Sequence, residues 1–397
     1  MQNTDQILQT HGISRASGFL SESADCLPDK FAAWEDLAGS LTACLTNGSI
    51  RQAVDKLPLL DSSGLGEDAK LLARARLLLT TITQTYVFGP SETVGTLPQQ
   101  IAKPLCAISR ILDLPPILSY TDYVLGNWQL VDPTGPISLE NMQARIGMNG
   151  GLDEGWFILV HVAVEAEAGA LVADCVDARL AADAGDADGL LRILTRLKEA
   201  LERLKITFLR MREQCDPHVY FLRVRPFTHG WHNNPGFDGG MIYEGVEEFG
   251  GKPMSFRGET GAQSSVIPTV DIALDIQHPD DKMNEHLDAM RDYMPREHRR
   301  FLDWMSTSSI REFVSSRNEA NEDSDSRLLN AYNACCECLR DFRTTHMKIA
   351  HEYVFAHRDT AIDSTANPAS VGTGGTPPMD YLCHHRDSTD ESIIRKK

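Results

Sequence analysis

From Leu328 to Tyr353 the positions Leu328, Tyr332, Cys335, Leu339, Phe342, His346, Ile349 and Tyr353 recur at alternating spacings of four and three. This is the buried stripe of a long amphipathic helix. One member, His346, is an imidazole where an apolar side chain would be expected. The same helical period dominates the rest of the chain. It predicts two short helices between residues 30 and 60, broken near Asn47-Gly48, a strong third over 67–88, and a fourth over 97–114 that Pro115-Pro116 stops. Further on it predicts helices over 153–182, 187–214, 264–277, 281–305 and 325–356, with a short one inside 216–225. No segment alternates with period two in β-branched residues. The polar run 315–327 reads as an exposed loop, and the tail from Asp359 is poorly patterned. The expected fold is all-α, with a small helical domain over 1–135 and a larger one over 136–397 ending in a mobile glycine-rich loop. The Pro-, Gly- and Asn-rich stretch 131–151 is the connector between them.

Composition narrows the partners. The 397 residues carry 56 acidic groups against 38 Lys plus Arg, a formal net charge of −18. Such a surface repels phosphate backbones and anionic lipid, so neither nucleic acid nor a membrane is an expected partner. Nine cysteines, odd in number and without framework spacing, suggest reduced thiols and a cytoplasmic setting. The N-terminus lacks a basic start and an apolar core. The most apolar run, WFILVHVAV (156–164), is too short to span a bilayer.

Four places hold candidate chemistry. His346 is either a core histidine satisfied by a nearby carbonyl or a ligand. Arg343 lies one turn earlier on nearly the same face, and an imidazole with a neighbouring guanidinium suits a haem: nitrogen for iron, arginine for a propionate. The CCEC run (335–338) lacks a second pair at ligand spacing, so small apolar filling is the better reading. VGTGGT (371–376) is a flexible linker, or a loop whose backbone N–H groups close over an anion. In DPHVYFLRVRPF (216–227), Asp216 can cap a helix and Pro226 stop it after Arg225. Phe221 and Arg225 then share a face, where arginine either complements the helix C-terminus or grips an aromatic amino acid's carboxylate beside a ring. His161 falls on the apolar face of its helix with Trp156, Phe157, Val160 and Val164, which taken alone favours a core histidine.

Six stretches, in order, resemble the indoleamine 2,3-dioxygenase family, which belongs with tryptophan 2,3-dioxygenase among haem-dependent aromatic oxygenases. They are LPPILSYTDYVLGNW (114–128), GGMIYEGVEEF (239–249), GAQSSVIPTVDIALDIQ (261–277), MRDYMPREHRRFL, RTTHMKIAHEYV and GTGGTPPMDYL. The resemblance implies that His346 is the proximal ligand of a haem b iron, with Arg343 near the propionates. It implies that Arg225 holds the substrate carboxylate and that Thr373 and Gly374 belong to the loop closing over the amino acid. Tyr120, Phe157 and Phe221 fall on positions lining the indole pocket, and Gly261 and Ala262 on the small-residue segment beside the haem. Three positions depart from the pattern. His161 stands where the animal enzymes have serine, and there resembles the distal histidine of tryptophan 2,3-dioxygenase. Tyr220 replaces a phenylalanine and Tyr123 a small pocket residue. The expected activity is insertion of O2 across the indole C2–C3 bond of L-tryptophan or a related indole, by a monomer. The alternatives are a biosynthetic oxygenase that rearranges a modified indole and a myoglobin-like O2 binder.

Overall fold

The computed structural model describes residues 3–90, 92–278, 282–320, 325–357, 372–375 and 378–395. The fold is all-α. Its only described strands are two-residue pairs: Thr96–Leu97 runs parallel to Ile242–Tyr243, and Gln129–Leu130 antiparallel to Met142–Gln143.

Three long helices frame the interior. Leu152–Asp183, 32 residues, turns at Gly185 (φ +72°) into Ala187–Leu209, whose N-cap Asp186 accepts a hydrogen bond from Gly189 N at 2.8 Å. The positive φ suits glycine, which has no Cβ to clash. Asp325–Tyr353 packs against Ala187–Leu209, and Val266–Ala273 against Leu152–Asp183. The 152–183 helix is long and apolar enough to cross a bilayer, but most of its apolar window is buried against these neighbours. Its hydrophobicity builds a core, as expected of a helix that is apolar nearly all round.

A fourth long helix, Ala69–Phe88, is capped by Asp68 and buried along almost its whole length. It anchors part of the future site through Arg76. The guanidinium donates to Asp122 at 2.7 and 3.1 Å and to Ile117 O at 2.9 Å, while Asp122 also accepts from Ser119 N. Both charges are buried, and each is satisfied by the other and by hydrogen bonds, the condition under which a buried pair survives.

Several boundaries differ from the sequence pattern. The 281–305 helix is two, Lys282–Arg291 and Arg296–Met305, because Pro295 at the second N-cap cannot continue the first. Residues 310–320, half of which read as loop, form a helix that packs on Asp325–Tyr353. The unpatterned tail contains the helix Pro378–Glu391, also docked on Asp325–Tyr353. Pro226 does not stop the 216–225 segment. A π-helical turn over Tyr220–Val224 passes into a 3-10 turn, Arg225–Thr228, with the proline in its first turn, where a missing N–H costs nothing. A second π-helical turn, Thr121–Leu125, follows Tyr120. In the CCEC run Cys335 and Cys336 are buried, and the Cys335 thiol donates to Leu194 O at 3.2 Å, so these residues fill the core.

Candidate active site

The long helices enclose a cavity of about 900 Å³, at the upper end of the usual size for a ligand pocket. Phe157 and His161 reach it from the 152–183 helix, and Arg343 and His346 from the 325–353 helix. Tyr220 and Arg225 reach it from the π and 3-10 turns, Gly261 and Ala262 from the short turn before Val266, and Thr373 and Gly374 from the C-terminal loop. Ten of the thirteen residues singled out in the sequence thus share one wall system. Tyr120, Tyr123 and Phe221 stand one layer behind. Tyr120 meets the His161 ring at 6.2 Å, Tyr123 meets Phe157 at 6.3 Å, and Phe221 lies under the Arg225 guanidinium at 5.6 Å.

His346 presents a neutral ring. Burial first, then His161 and Arg343, lower its pKa to about 4. No residue hydrogen-bonds the ring among those described, and Phe208 holds it edge-on at 5.6 Å. A neutral imidazole on a rigid helix, lining a large cavity, fits a residue that would hold a haem iron. His161 is also lowered by burial. Its Nδ1 lies 2.8 Å from Phe157 O, and a carbonyl only accepts, so Nδ1 carries the proton and Nε2 is left as an acceptor.

Arg343 is committed within the protein. Its NH2 donates to both Asp271 oxygens at 2.8 and 2.6 Å, and its NH1 to Thr389 and His385 O. Only Nε–H lacks a partner among the described residues. Asp271, His278 and His385 form a compact cluster, with ligand atoms within 4.8 Å of one another. Both Asp271 oxygens already face Arg343, however, and a divalent cation there would meet a guanidinium.

Arg225 is 1% exposed, and burial lowers its pKa to about 10, so it stays charged at neutral pH. Its turn is tied to the next wall, since Thr228 Oγ1 donates to Arg225 O and Thr228 O accepts from Glu259 N, both at 2.9 Å. The segment 258–264 is then pinned from three sides. Gln263 Nε2 donates to Gly258 O at 2.8 Å, Tyr120 N donates to Gln263 Oε1 at 2.8 Å, and Ser264 donates to Glu165 at 2.6 Å. Burial pushes Glu165 up to about 7. A Cβ at Gly261 would meet nothing within 4 Å, so that residue borders open cavity.

The glycine-rich loop is docked in its described part, 372–375. Thr373 O accepts from Gly230 N at 3.3 Å and Gly258 N at 3.2 Å, and Gly374 O accepts from Arg257 NH1 at 2.9 Å. Gly375 has φ +85°, and a Cβ there would come 2.7 Å from His232 O, so only glycine lets the loop lie this close. Thr376 lies outside the described residues.

Sequence reasoning missed Glu259 altogether. It lines the cavity, is 4% exposed, and has no hydrogen-bond or ion-pair partner among the described residues. Burial alone pushes its pKa up to about 8. Its only mark in the sequence is a charged residue within the small-residue run GETGA (258–262). Phe208, which contacts both His161 and His346, was missed as well, being indistinguishable from an ordinary core residue of its helix.

The chain is similar in sequence to known proteins over nearly its whole length. The profile of the indoleamine 2,3-dioxygenase family matches residues 7–392. Indoleamine 2,3-dioxygenase 1 of Mus musculus is 36% identical over 99% of this chain and 97% of its own length. The indoleamine 2,3-dioxygenase of Saccharomyces cerevisiae is 32% identical, covering 96% and 93%. A 6-hydroxytryptophan 2,3-dioxygenase of Fusarium equiseti is 30% identical, covering 97% and 98%. The chain belongs to the indoleamine 2,3-dioxygenase family, and is with it a haem-dependent, O2-using oxidoreductase that acts on tryptophan or a related indole.

Proposed function

We propose that the cavity binds a haem on His346 and an L-tryptophan or ring-substituted tryptophan beside it. The protein would insert both atoms of O2 across the indole C2–C3 bond and release an N-formylkynurenine-type product. The observation that carries this reading is the sharing of one cavity by a neutral His346 that no described residue hydrogen-bonds, an acceptor His161 and a buried, charged Arg225. Bound there, the haem supplies binding and activation of O2.

The chain's own residues do the rest. Arg225 pairs with the substrate carboxylate, a charge-assisted contact made stronger by its burial. Tyr220, tilted by 32° against Phe157 at 4.8 Å, gives the indole an aromatic wall. His161 Nε2 accepts the indole N–H, which fixes the ring's orientation without removing a proton in the bond-forming step. The loop at Thr373 and Gly374, docked on 230–232 and 256–258, excludes water from the carboxylate end. Arg343, held by Asp271 through NH2, would offer its Nε–H to a haem propionate. An oxygen store would have no use for the arginine and the loop. The name of the Fusarium relative supports including ring-hydroxylated tryptophan in the substrate class. The protein is expected to act as a monomer.

One aerobic reaction tests the proposal: reduced, haem-loaded protein with L-tryptophan, followed by mass spectrometry. The expected product is heavier by both oxygen atoms and shows kynurenine-type absorbance. A rearranged product of unchanged skeleton, or a stable oxygenated protein with no product, would overturn it.

A further inference from the structure

The glycine-rich loop is held by its carbonyls, and three in succession are taken. Thr373 O accepts from Gly230 N and Gly258 N at 3.3 and 3.2 Å, Gly374 O from Arg257 NH1 at 2.9 Å, and Gly375 O from Asn233 Nδ2 at 3.1 Å. The receiving surface is a crossing of two chain segments. Trp231 N and His232 N both donate to Phe256 O, at 2.8 and 2.9 Å, and Glu259 N donates to Thr228 O at 2.9 Å. At its centre a Cβ on Gly230 would come 2.2 Å from Gly258 N, and one on Gly258 would come 2.3 Å from Gly230 N. Only glycines cross this closely, and the approach brings both their N–H groups onto one loop oxygen.

Arg257 differs from the other donors to the loop in carrying a charge. Its backbone N–H donates to Tyr293 Oη at 2.7 Å, just past the helix Lys282–Arg291. No carboxylate pairs with its guanidinium among the described residues, so the charge is directed at neutral acceptors. Besides Gly374 O, NH1 reaches His286 Nδ1 at 3.2 Å. A guanidinium only donates, so Nδ1 is the lone-pair nitrogen, and NH1 has one hydrogen for each acceptor. Burial first, then Arg257 and His232, lower the His286 pKa to about 4, and the ring is neutral. His286 lines the cavity, and its Cε1 lies 3.5 Å from where a Gly374 Cβ would be. NH1 thus stands between the loop and a ring of the cavity wall. A hydrogen bond from a charged donor is roughly twice as strong as a neutral one. The glycine N–H groups and Asn233 are neutral and lie farther from their acceptors, so Arg257 makes the strongest of the four described contacts.

We propose that Arg257 is a positioning residue for the reaction. By holding Gly374 O it keeps the glycine-rich loop closed on the crossing of 228–232 with 256–259, and so sets how long the amino-acid end of the substrate stays enclosed. The inference deepens the proposed function and rests on its reading of the loop. Arg257 does not line the cavity; it acts through Thr373 and Gly374, which do. A loop that must open for release is held by few bonds, and removing the strongest shifts the balance toward the open form. Opening also frees the Gly230 and Gly258 N–H groups, since Thr373 O is their shared acceptor. Loss of the latch is therefore readable at Gly230, far along the chain from the substituted residue.

Haem-loaded protein without substrate is followed by amide hydrogen exchange. The same protein is then mixed with L-tryptophan, with binding and release read from haem absorption, and assayed for kcat and KM. Arg257→Met keeps an unbranched side chain and removes its donors. It should speed exchange at Gly230 and Gly258 by about 10- to 100-fold, the range for a lost hydrogen bond from a charged group. Exchange in the helices Leu152–Asp183 and Ala187–Leu209 should stay as in the wild type. L-Tryptophan should leave faster and KM rise by a similar factor, with kcat changed by less than about twofold, because Arg257 meets no reacting group. Arg257→Lys, which keeps a charged donor, should recover most of both effects. Unchanged exchange at Gly230 and Gly258 would overturn the latch, and so would faster exchange throughout the chain, which would make Arg257 merely structural. Faster exchange with KM and tryptophan release unchanged would overturn its link to the substrate. Wild-type protein that binds no tryptophan would remove the substrate reading instead, while exchange at Gly230 would still decide whether Arg257 holds the loop.

Discussion

Asp271 and Glu259 are carboxylates on the wall of one cavity, and the protein treats them in opposite ways. The Asp271 side chain is 12% exposed, takes Arg343 on both oxygens and touches His278 at 3.3 Å. Burial alone would raise its pKa, but Arg343 and His278 outweigh burial and hold it below the usual range. Glu259 has burial and nothing to oppose it, and rises to about 8. A charge satisfied inside the fold belongs to the architecture. A charge left facing a cavity is a cost to the empty protein that a ligand can remove. The 325–353 helix shows the same division within one turn, with Arg343 paired through NH1 and NH2 and the His346 ring hydrogen-bonded by none of the described residues.

The widest break in that comparison is at His346. His346→Ala should abolish the Soret band of purified protein, while leaving Arg343 and Asp271 paired and the fold intact by circular dichroism. Full haem retention would mean that the waiting imidazole is not the axial ligand. Next comes Asp271→Ala, which leaves the Arg343 guanidinium buried without its counter-ion. It should cost about 3–5 kcal/mol of stability, the usual price of breaking a buried pair on one side. A denaturant melt unchanged within about 0.5 kcal/mol would show that Asp271 is as dispensable as an exposed partner. Arg225→Ala should spare both haem and stability more than Asp271→Ala does. It should lower kcat/KM for L-tryptophan by roughly 2–3 kcal/mol equivalent. An unchanged kcat/KM would place the carboxylate grip elsewhere.

How much of this was legible in advance depended on whether the signal was local. Helical period marked the framework because burial of one face repeats every turn, and so the stripe through Leu328, Tyr332, Phe342 and Tyr353 was readable. The break at Pro295 was visible as a residue but was outweighed by the apolar pattern on either side. Polar composition hid the 310–320 helix, which lies at the surface and needs few apolar positions. The two π-helical turns, which carry or follow Tyr120, Tyr123, Tyr220 and Phe221, have no period of their own to detect. Resemblance named those aromatic residues but not their depth, and so did not distinguish Tyr220, on the cavity, from Phe221, behind Arg225. Glu259 was illegible for a further reason. Nothing in RGETGAQ (257–263) says that the glutamate is buried; its burial comes from tertiary packing, in which its backbone N–H pairs with Thr228 O, far away in sequence.

The smallest effect tests the comparison in the ligand-free protein. Glu259 has a folded pKa of about 8 against an ordinary 4.5, so the native state holds its proton more tightly than the unfolded chain does. Its contribution is therefore fully present below about pH 4.5 and is lost as pH rises toward 8. Asp271 has the opposite sign: its folded pKa is depressed, and the stability it confers is present at neutral pH and lost on acidification through that folded value. Glu259→Gln is neutral at every pH. Subtracting its denaturation free energies from those of the wild type should leave a decline on the order of 1 kcal/mol per pH unit between about pH 5 and pH 8. The variant should be the more stable protein at the alkaline end. A flat difference would mean that the folded and unfolded chains hold the Glu259 proton equally, and the contrast with Asp271 would then lie in geometry alone.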